Sequence, residues 1–210
     1  MKILLLLALT CLCSMVMSSA AGPQAAGADT GLLIIDIQNF YFAGGKLPLT
    51  GPVEASAQAK ALLERFRALK KPVFHVQHLP AGKETYQPGT DDPQYAIHSS
   101  VAPMPGEKVI FKHDANSFRG TSLLSDLKAA GVKKLVICGM QTHMCVEAAV
   151  RAAADFGFEV MLASDACATR PLTFNGREVP AETVHATTLA VLNGSYARVL
   201  PTAELLGMLK

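Results

Sequence analysis

The 210-residue sequence has no tryptophan, only 6% aromatic residues and a formal net charge of just +2. A nucleic-acid surface needs basic residues gathered on one face, and this composition gives no sign of one. Neither GxGxxG nor GxxxxGK[ST] follows an apolar run, so the usual phosphate cradles are missing and no nucleotide cofactor is assigned. Zinc-finger spacings and HExxH are also absent from the five cysteines and six histidines. His75 and His78 come nearest to a metal pair, but on a strand their three-residue spacing sends them to opposite faces. The chain is therefore read with no metal and no cofactor.

Cysteine is also too scarce for a disulfide framework. Two of the five, Cys11 and Cys13, fall in an N-terminal segment of a different kind. Lys2 is followed by an apolar run extending through Met17, and then by Ser18, Ser19, Ala20 and Ala21. That is the order of a secretory signal peptide, with cleavage expected after Ala20 and export to a periplasmic or extracellular location. A single-pass anchor is the competing reading, disfavoured because the apolar core is short for a span and basic flanks are absent. Residues 21–30 are Gly- and Ala-rich and read as a leader. One domain of 31–210 then remains, long enough for a single sizeable core.

Within that domain, short buried-type strands alternate with helical stretches. Strands are expected at Leu32–Asp36, Val73–Val76, Val109–Lys112, Leu135–Cys138, Val160–Ala163 and Ala197–Leu200. Helices are expected over Pro52–Leu69, Leu123–Ala130, the Ala-rich stretch from Cys145, Pro180–Leu192 and Thr202–Leu209. The long segment Leu79–Glu107 reads as irregular, and loops of that length commonly cover a site. Alternation of this kind implies right-handed crossovers and a parallel sheet covered on both faces. The fold class is therefore α/β, a three-layer doubly wound fold with a six-stranded parallel sheet.

In such a sheet ligands gather at the C-terminal ends of the strands. Asp36 ends the first strand, Lys112 ends the third, and Cys145 lies where the fourth turns into a helix. A thiol beside helix N–H groups is expected to have its pKa lowered, which would make Cys145 a ready nucleophile. Each residue also has an ordinary explanation: a turn aspartate, a solvated lysine, a cysteine filling the core. Phe40, Tyr41 and Phe42 either line a pocket or pack a loop.

Three segments carry a resemblance. LLIIDIQNFYF around Asp36, FKHDANSFRGTSL around Lys112, and VICGMQTHMCVEAAVRAAADFGFEVMLASDACAT around Cys145 are similar to the isochorismatase-like cysteine hydrolases. That group includes nicotinamidases and related amidases. The resemblance implies an Asp36–Lys112–Cys145 triad acting on a small-molecule amide through an acyl thioester. It also implies a cis peptide between Met140 and Gln141, an oxyanion hole from the backbone N–H groups of Gln141 and Cys145, and a homo-oligomer. Candidate substrate contacts are Phe40, Phe42, Phe118 and His143. Metal-binding nicotinamidases carry a WHPxxH-like segment after the second strand, where this chain reads VFHVQHLPAG. The resemblance therefore stops short of a zinc site. Alternatives are an ether hydrolase of the same fold, a redox protein pairing Cys145 with Cys167 or Cys138, and a ligand-binding protein without turnover.

Overall fold

The computed structural model describes residues 29–209. The expected signal peptide, and all but the last two residues of the leader, lie outside the described residues. The chain runs β1 (Thr30–Ile35), α1 (Pro52–Ala68), β2 (Val73–His78), β3 (Lys108–Lys112), α2 (Leu123–Ala129) and β4 (Lys134–Met140). A turn of π-helix (Thr142–Val146) then leads into α3 (Glu147–Asp155), followed by β5 (Glu159–Ala168), β6 (Leu172–Phe174) and β7 (Arg177–Val179). The fold closes with α4 (Ala181–Leu192), β8 (Arg198–Leu200) and α5 (Thr202–Met208).

Six strands form one sheet in the order β3-β2-β1-β4-β5-β8, every neighbouring pair parallel. Strand residues alternate between two apolar layers because successive side chains leave opposite faces. Leu32 and Ile34 join α1 and α5 on one face, while Leu33 and Ile35 join α2, α3 and α4 on the other. This is the three-layer doubly wound architecture. The chain proceeds from β1 outward to β3 and then returns to the far side of β1 with β4. That reversal opens a crevice above the ends of β1 and β4, the general location of ligand sites in such sheets.

Helix α1 follows from Pro52 in its first turn and from Arg65 and Arg67 in its last, a polarity that suits the helix dipole. Helical spacing of its apolar residues predicts a buried stripe of Val53, Ala57, Ala61, Leu62, Phe66 and Leu69, and the observed buried face differs. Val53 is 61% exposed, and the buried residues are Ala55, Ser56, Ala59, Leu62, Leu63 and Phe66. Packing against the sheet has chosen the neighbouring stripe, because Leu63 and the small residues let the helix approach closely. Burying Leu62, Leu63 and Phe66 stabilises by about 2 kcal/mol each.

Two strands outrun their apolar cores. β2 continues through Gln77 and His78 because Gln38 brackets its end, accepting from the His78 N–H and donating to the His78 carbonyl, both at 2.9 Å. β5 continues to Ala168 after a register shift between Ile137 and Gly139 on β4. The β6–β7 hairpin was not anticipated. Its Asn175-Gly176 turn, with both residues at positive φ, is the sequence feature that announces it. The segment after β2 is irregular as expected, apart from 3-10 turns at Pro93–Tyr95 and Ser99–Val101. No described helix is long and apolar enough to cross a membrane.

Candidate active site

Asp36, Lys112 and Cys145 meet above the crevice between β1 and β4. Asp36 is the first residue past β1 and adopts φ 50°, the left-handed region that is unfavourable for a side chain other than glycine. Its backbone N–H still donates to Val76 O at 3.1 Å, so the turn is held by the adjacent strand. Lys112, the last residue of β3, reaches back so that Nζ lies 2.7 Å from Asp36 Oδ2, with both side chains fully buried. Nζ also donates to Asp114 O at 3.0 Å and lies 3.5 Å from His78 Nδ1. The Asp36 contact is close as an ion pair, yet neither carboxylate oxygen accepts a well-formed hydrogen bond.

Cys145 arrives from the other side of the crevice. Gly139 has φ 136°, and a Cβ there would lie 2.0 Å from Ile35 O, so only glycine lets the end of β4 close against β1. The Met140–Gln141 peptide is cis, and Val146 N donates to Gln141 O at 3.2 Å across a π turn. Such turns often mark functional positions because the extra residue re-aims a side chain. Here the re-aimed residue is Cys145, 5% exposed, whose thiol feels the charges of both Asp36 and Lys112.

The thiol is not the ready thiolate expected from its place at a helix start. Burial and the Asp36 charge push Cys145 up to about 12, against the opposing pull of Lys112. Lys112 responds in the opposite sense. Burial pulls it down, but Asp36 and the thiol outweigh that and hold it above its ordinary value, so it stays a cation. The resting site therefore holds a neutral thiol beside a carboxylate–ammonium pair.

A cavity of about 310 Å³ opens over Cys145. Phe40, Tyr41 and Tyr95 form aromatic walls, Leu47 and Met144 add aliphatic surface, and His78, Gln141 and Lys46 supply the remaining polar lining. Phe40 is thus where a substrate contact was expected. Phe42 stacks on His98 at 3.8 Å, Phe118 packs on Phe156 and Phe158, and His143 bonds Thr169 Oγ1 at 2.5 Å. None of those three is among the residues that line this cavity. Local packing partners took each of them, and those partners are distant in sequence. Tyr95 and Leu47 were missed for the same reason, reaching the site from loops whose paths the sequence does not reveal, whereas Met144 was missed although it directly precedes Cys145 in the π turn.

Cys138, Cys145 and Cys167 are free thiols, with Cys138 and Cys145 in different core layers. Among the described residues no three His, Cys, Asp or Glu side chains are grouped to hold a metal ion. His75 and His78 part as their spacing requires: His75 bonds Glu107 at 2.9 Å, while His78 faces the cavity.

The isochorismatase domain model matches residues 30–204. An uncharacterized isochorismatase family protein of Bacillus subtilis, YddQ, is 47% identical over 179 residues, covering 84% of this chain and 98% of the relative. The chain belongs to the isochorismatase family. A putative isochorismatase hydrolase from Oleispira antarctica has a crystal structure that superposes with a TM-score of 0.81 at 45% identity, covering 88% of this chain and 99% of that one. Streptothricin hydrolase of Streptomyces noursei is 34% identical over 138 residues, 66% of this chain and 49% of that relative. This isochorismatase-family chain is accordingly a hydrolase.

Proposed function

We propose that this hydrolase cleaves the C–N bond of a small amide or imide, with Cys145 as nucleophile, Asp36 as proton carrier and Lys112 as their electrostatic partner. The observation that carries this reading is the fully buried Lys112–Asp36 pair, 2.7 Å apart, in contact with the thiol at the base of a cavity. The Asp36 carboxylate is the base at hand, and the thiol beside it carries the available proton.

Burial and the Asp36 charge hold the thiol above its ordinary value, so the resting group is the neutral thiol. Attack is therefore coupled to proton transfer. Sγ forms the bond to the amide carbon as Asp36 takes its proton, and the carbonyl oxygen becomes an oxyanion facing the N–H groups of Gln141 and Cys145. Collapse breaks the C–N bond, Asp36 returns the proton to the departing amine, and an acyl thioester remains. Water then attacks the thioester with Asp36 again taking a proton. The C–S bond breaks, the thiol regains a proton, and the carboxylic acid leaves.

Export belongs to the same proposal and rests on residues 1–21 alone. The native protein should begin at Ala21, and N-terminal sequencing that found Met1 would remove it. The chemistry is tested by incubating the enzyme with a panel of small amides, reading ammonia release and the intact mass of trapped protein. The expected result is an acyl adduct confined to Cys145. Ether cleavage that persists in Cys145→Ala would replace the amide reading with ether-hydrolase chemistry.

A further inference from the structure

The cavity over Cys145 presents no free charge to a ligand. Lys112 and Asp36 are committed to each other. Lys46 lies at the outer wall, its side chain 60% exposed, ion-paired with Asp92 and set over the Tyr95 ring at 5.4 Å. Burial, and then the Lys112 charge, depress His78, so its ring is neutral at pH 7. What remains is apolar wall and a few neutral polar atoms. A carboxylate or ammonium group entering here would lose its water without gaining a partner, an unfavourable exchange.

One of those neutral atoms is unusually well directed. Arg170 Nε donates to Gln141 Oε1 at 3.2 Å, and because a guanidinium has no acceptor this contact fixes which end of the amide faces it. The other end, Nε2, therefore donates to the Tyr41 oxygen at 3.2 Å. Tyr41 is 5% exposed, and among the described residues nothing accepts its own proton. Burial first, and then the charge of Asp36, hold the phenol well above its ordinary value, so it remains a donor across the physiological range. The ring is kept in place against Phe40, with centroids 4.2 Å apart.

We infer that the pocket selects an uncharged amide with an apolar, ring-sized body and a second hydrogen-bond acceptor away from the scissile carbonyl, to which the Tyr41 hydroxyl donates. This rests on the amide-hydrolase reading above. The scissile oxygen is assigned to the backbone donors of the Cys145 turn, which leaves the Tyr41 proton for a different atom of the substrate. The volume of about 310 Å³ is at the small end of ligand cavities and suits one ring rather than two. An undonated hydroxyl in a dry site is unfavourable, and an acceptor on the ligand removes that penalty.

Four amides of nearly equal shape test the inference: cyclohexanecarboxamide, tetrahydropyran-4-carboxamide with tetrahydropyran-3-carboxamide as its positional partner, and piperidine-4-carboxamide as the cationic form. Binding is read by protection of Cys145 from iodoacetamide, and turnover by ammonia release, in wild type and Tyr41→Phe. In wild type the better tetrahydropyran amide should bind about tenfold more tightly than the cyclohexane amide, one hydrogen bond's worth, and the piperidinium amide most weakly. In Tyr41→Phe the tenfold preference should collapse to about one. An unchanged preference in the variant, preference for the cation, or no protection by any of the amides overturns the inference. Selective protection without ammonia release keeps the pocket assignment and rejects the amide-hydrolase reading. Hydrolysis with a preference insensitive to Tyr41→Phe does the reverse.

Discussion

An acid–base cluster lies at each end of strand β3, partly buried at the start and fully buried at the finish, and the two are built on opposite principles. At its start, Glu107 accepts from Arg67 Nε at 2.7 Å and Arg67 NH2 at 2.8 Å, from Met104 N at 2.8 Å and from His75 Nε2 at 2.9 Å. At its finish, Lys112 lies 2.7 Å from Asp36, yet both carboxylate oxygens lack a formed hydrogen bond. Burial pushes Glu107 up, but Arg67, the Met104 amide and His75 outweigh it and hold the carboxyl at about 2. The saturated cluster fixes a charge and ties α1, β2 and the long loop together. The unsaturated one leaves proton-accepting capacity beside a thiol that burial has kept protonated. A fold stabilises itself with the first arrangement and does chemistry with the second.

The comparison breaks most completely at Cys145. Replacement by alanine should lower turnover at least about 10³-fold with little change in stability, since a small side chain is removed and no charge is stranded. Turnover within tenfold of wild type would mean that the unsaturated cluster serves some other group. Lys112→Met comes next. Turnover should fall about 10²-fold, and Cys145 should be alkylated more slowly at each pH because the cation that lowers the thiol is gone. Asp36 is then left buried without its partner, so urea unfolding should also show a loss of about 3 kcal/mol. Identical alkylation curves for wild type and variant would remove the electrostatic role of Lys112.

Glu107→Gln probes the saturated end. Unfolding at neutral pH should reveal a loss of about 1–3 kcal/mol, with turnover within about twofold of wild type. Because the folded carboxyl is depressed from 4.5 to about 2, its contribution is present above pH 4.5 and fades as pH falls towards 2. The stability gap between wild type and variant should narrow over that window, and a gap independent of pH would deny the depressed carboxyl. The smallest expected effect is that of exhaustive chelation, which should leave turnover unchanged. Loss of activity that zinc restores would bring a metal into a site where no three ligands are gathered among the described residues.

The sheet was legible because each central strand is a short apolar run, and the convergence of Asp36, Lys112 and Cys145 was legible because each lies at or beyond the C-terminal end of one. Ionisation was not legible. The helix start at Cys145 predicts a lowered thiol, whereas burial and Asp36, brought near only by the fold, raise it. The outer wall was hidden similarly, since Tyr95 reaches the cavity through a loop held by Gln38 and Gln77, which both donate to its carbonyl. Phe118 misled because its neighbour in sequence is the segment around Lys112, while its neighbours in space are Phe156 and Phe158.

The loop between β2 and β3 is pinned at three points: Gln38 at His78, Gln38 and Gln77 at Tyr95, and Arg67 with His75 at Glu107. Between the first two pins, residues 81–91 are almost wholly exposed and bond chiefly among themselves, through Lys83, Gln87, Thr90 and Asp91. Substitutions or length changes in that span should leave the sheet and the Asp36–Lys112 pair in place, because the hydrogen bonds they would disturb are chiefly the span's own.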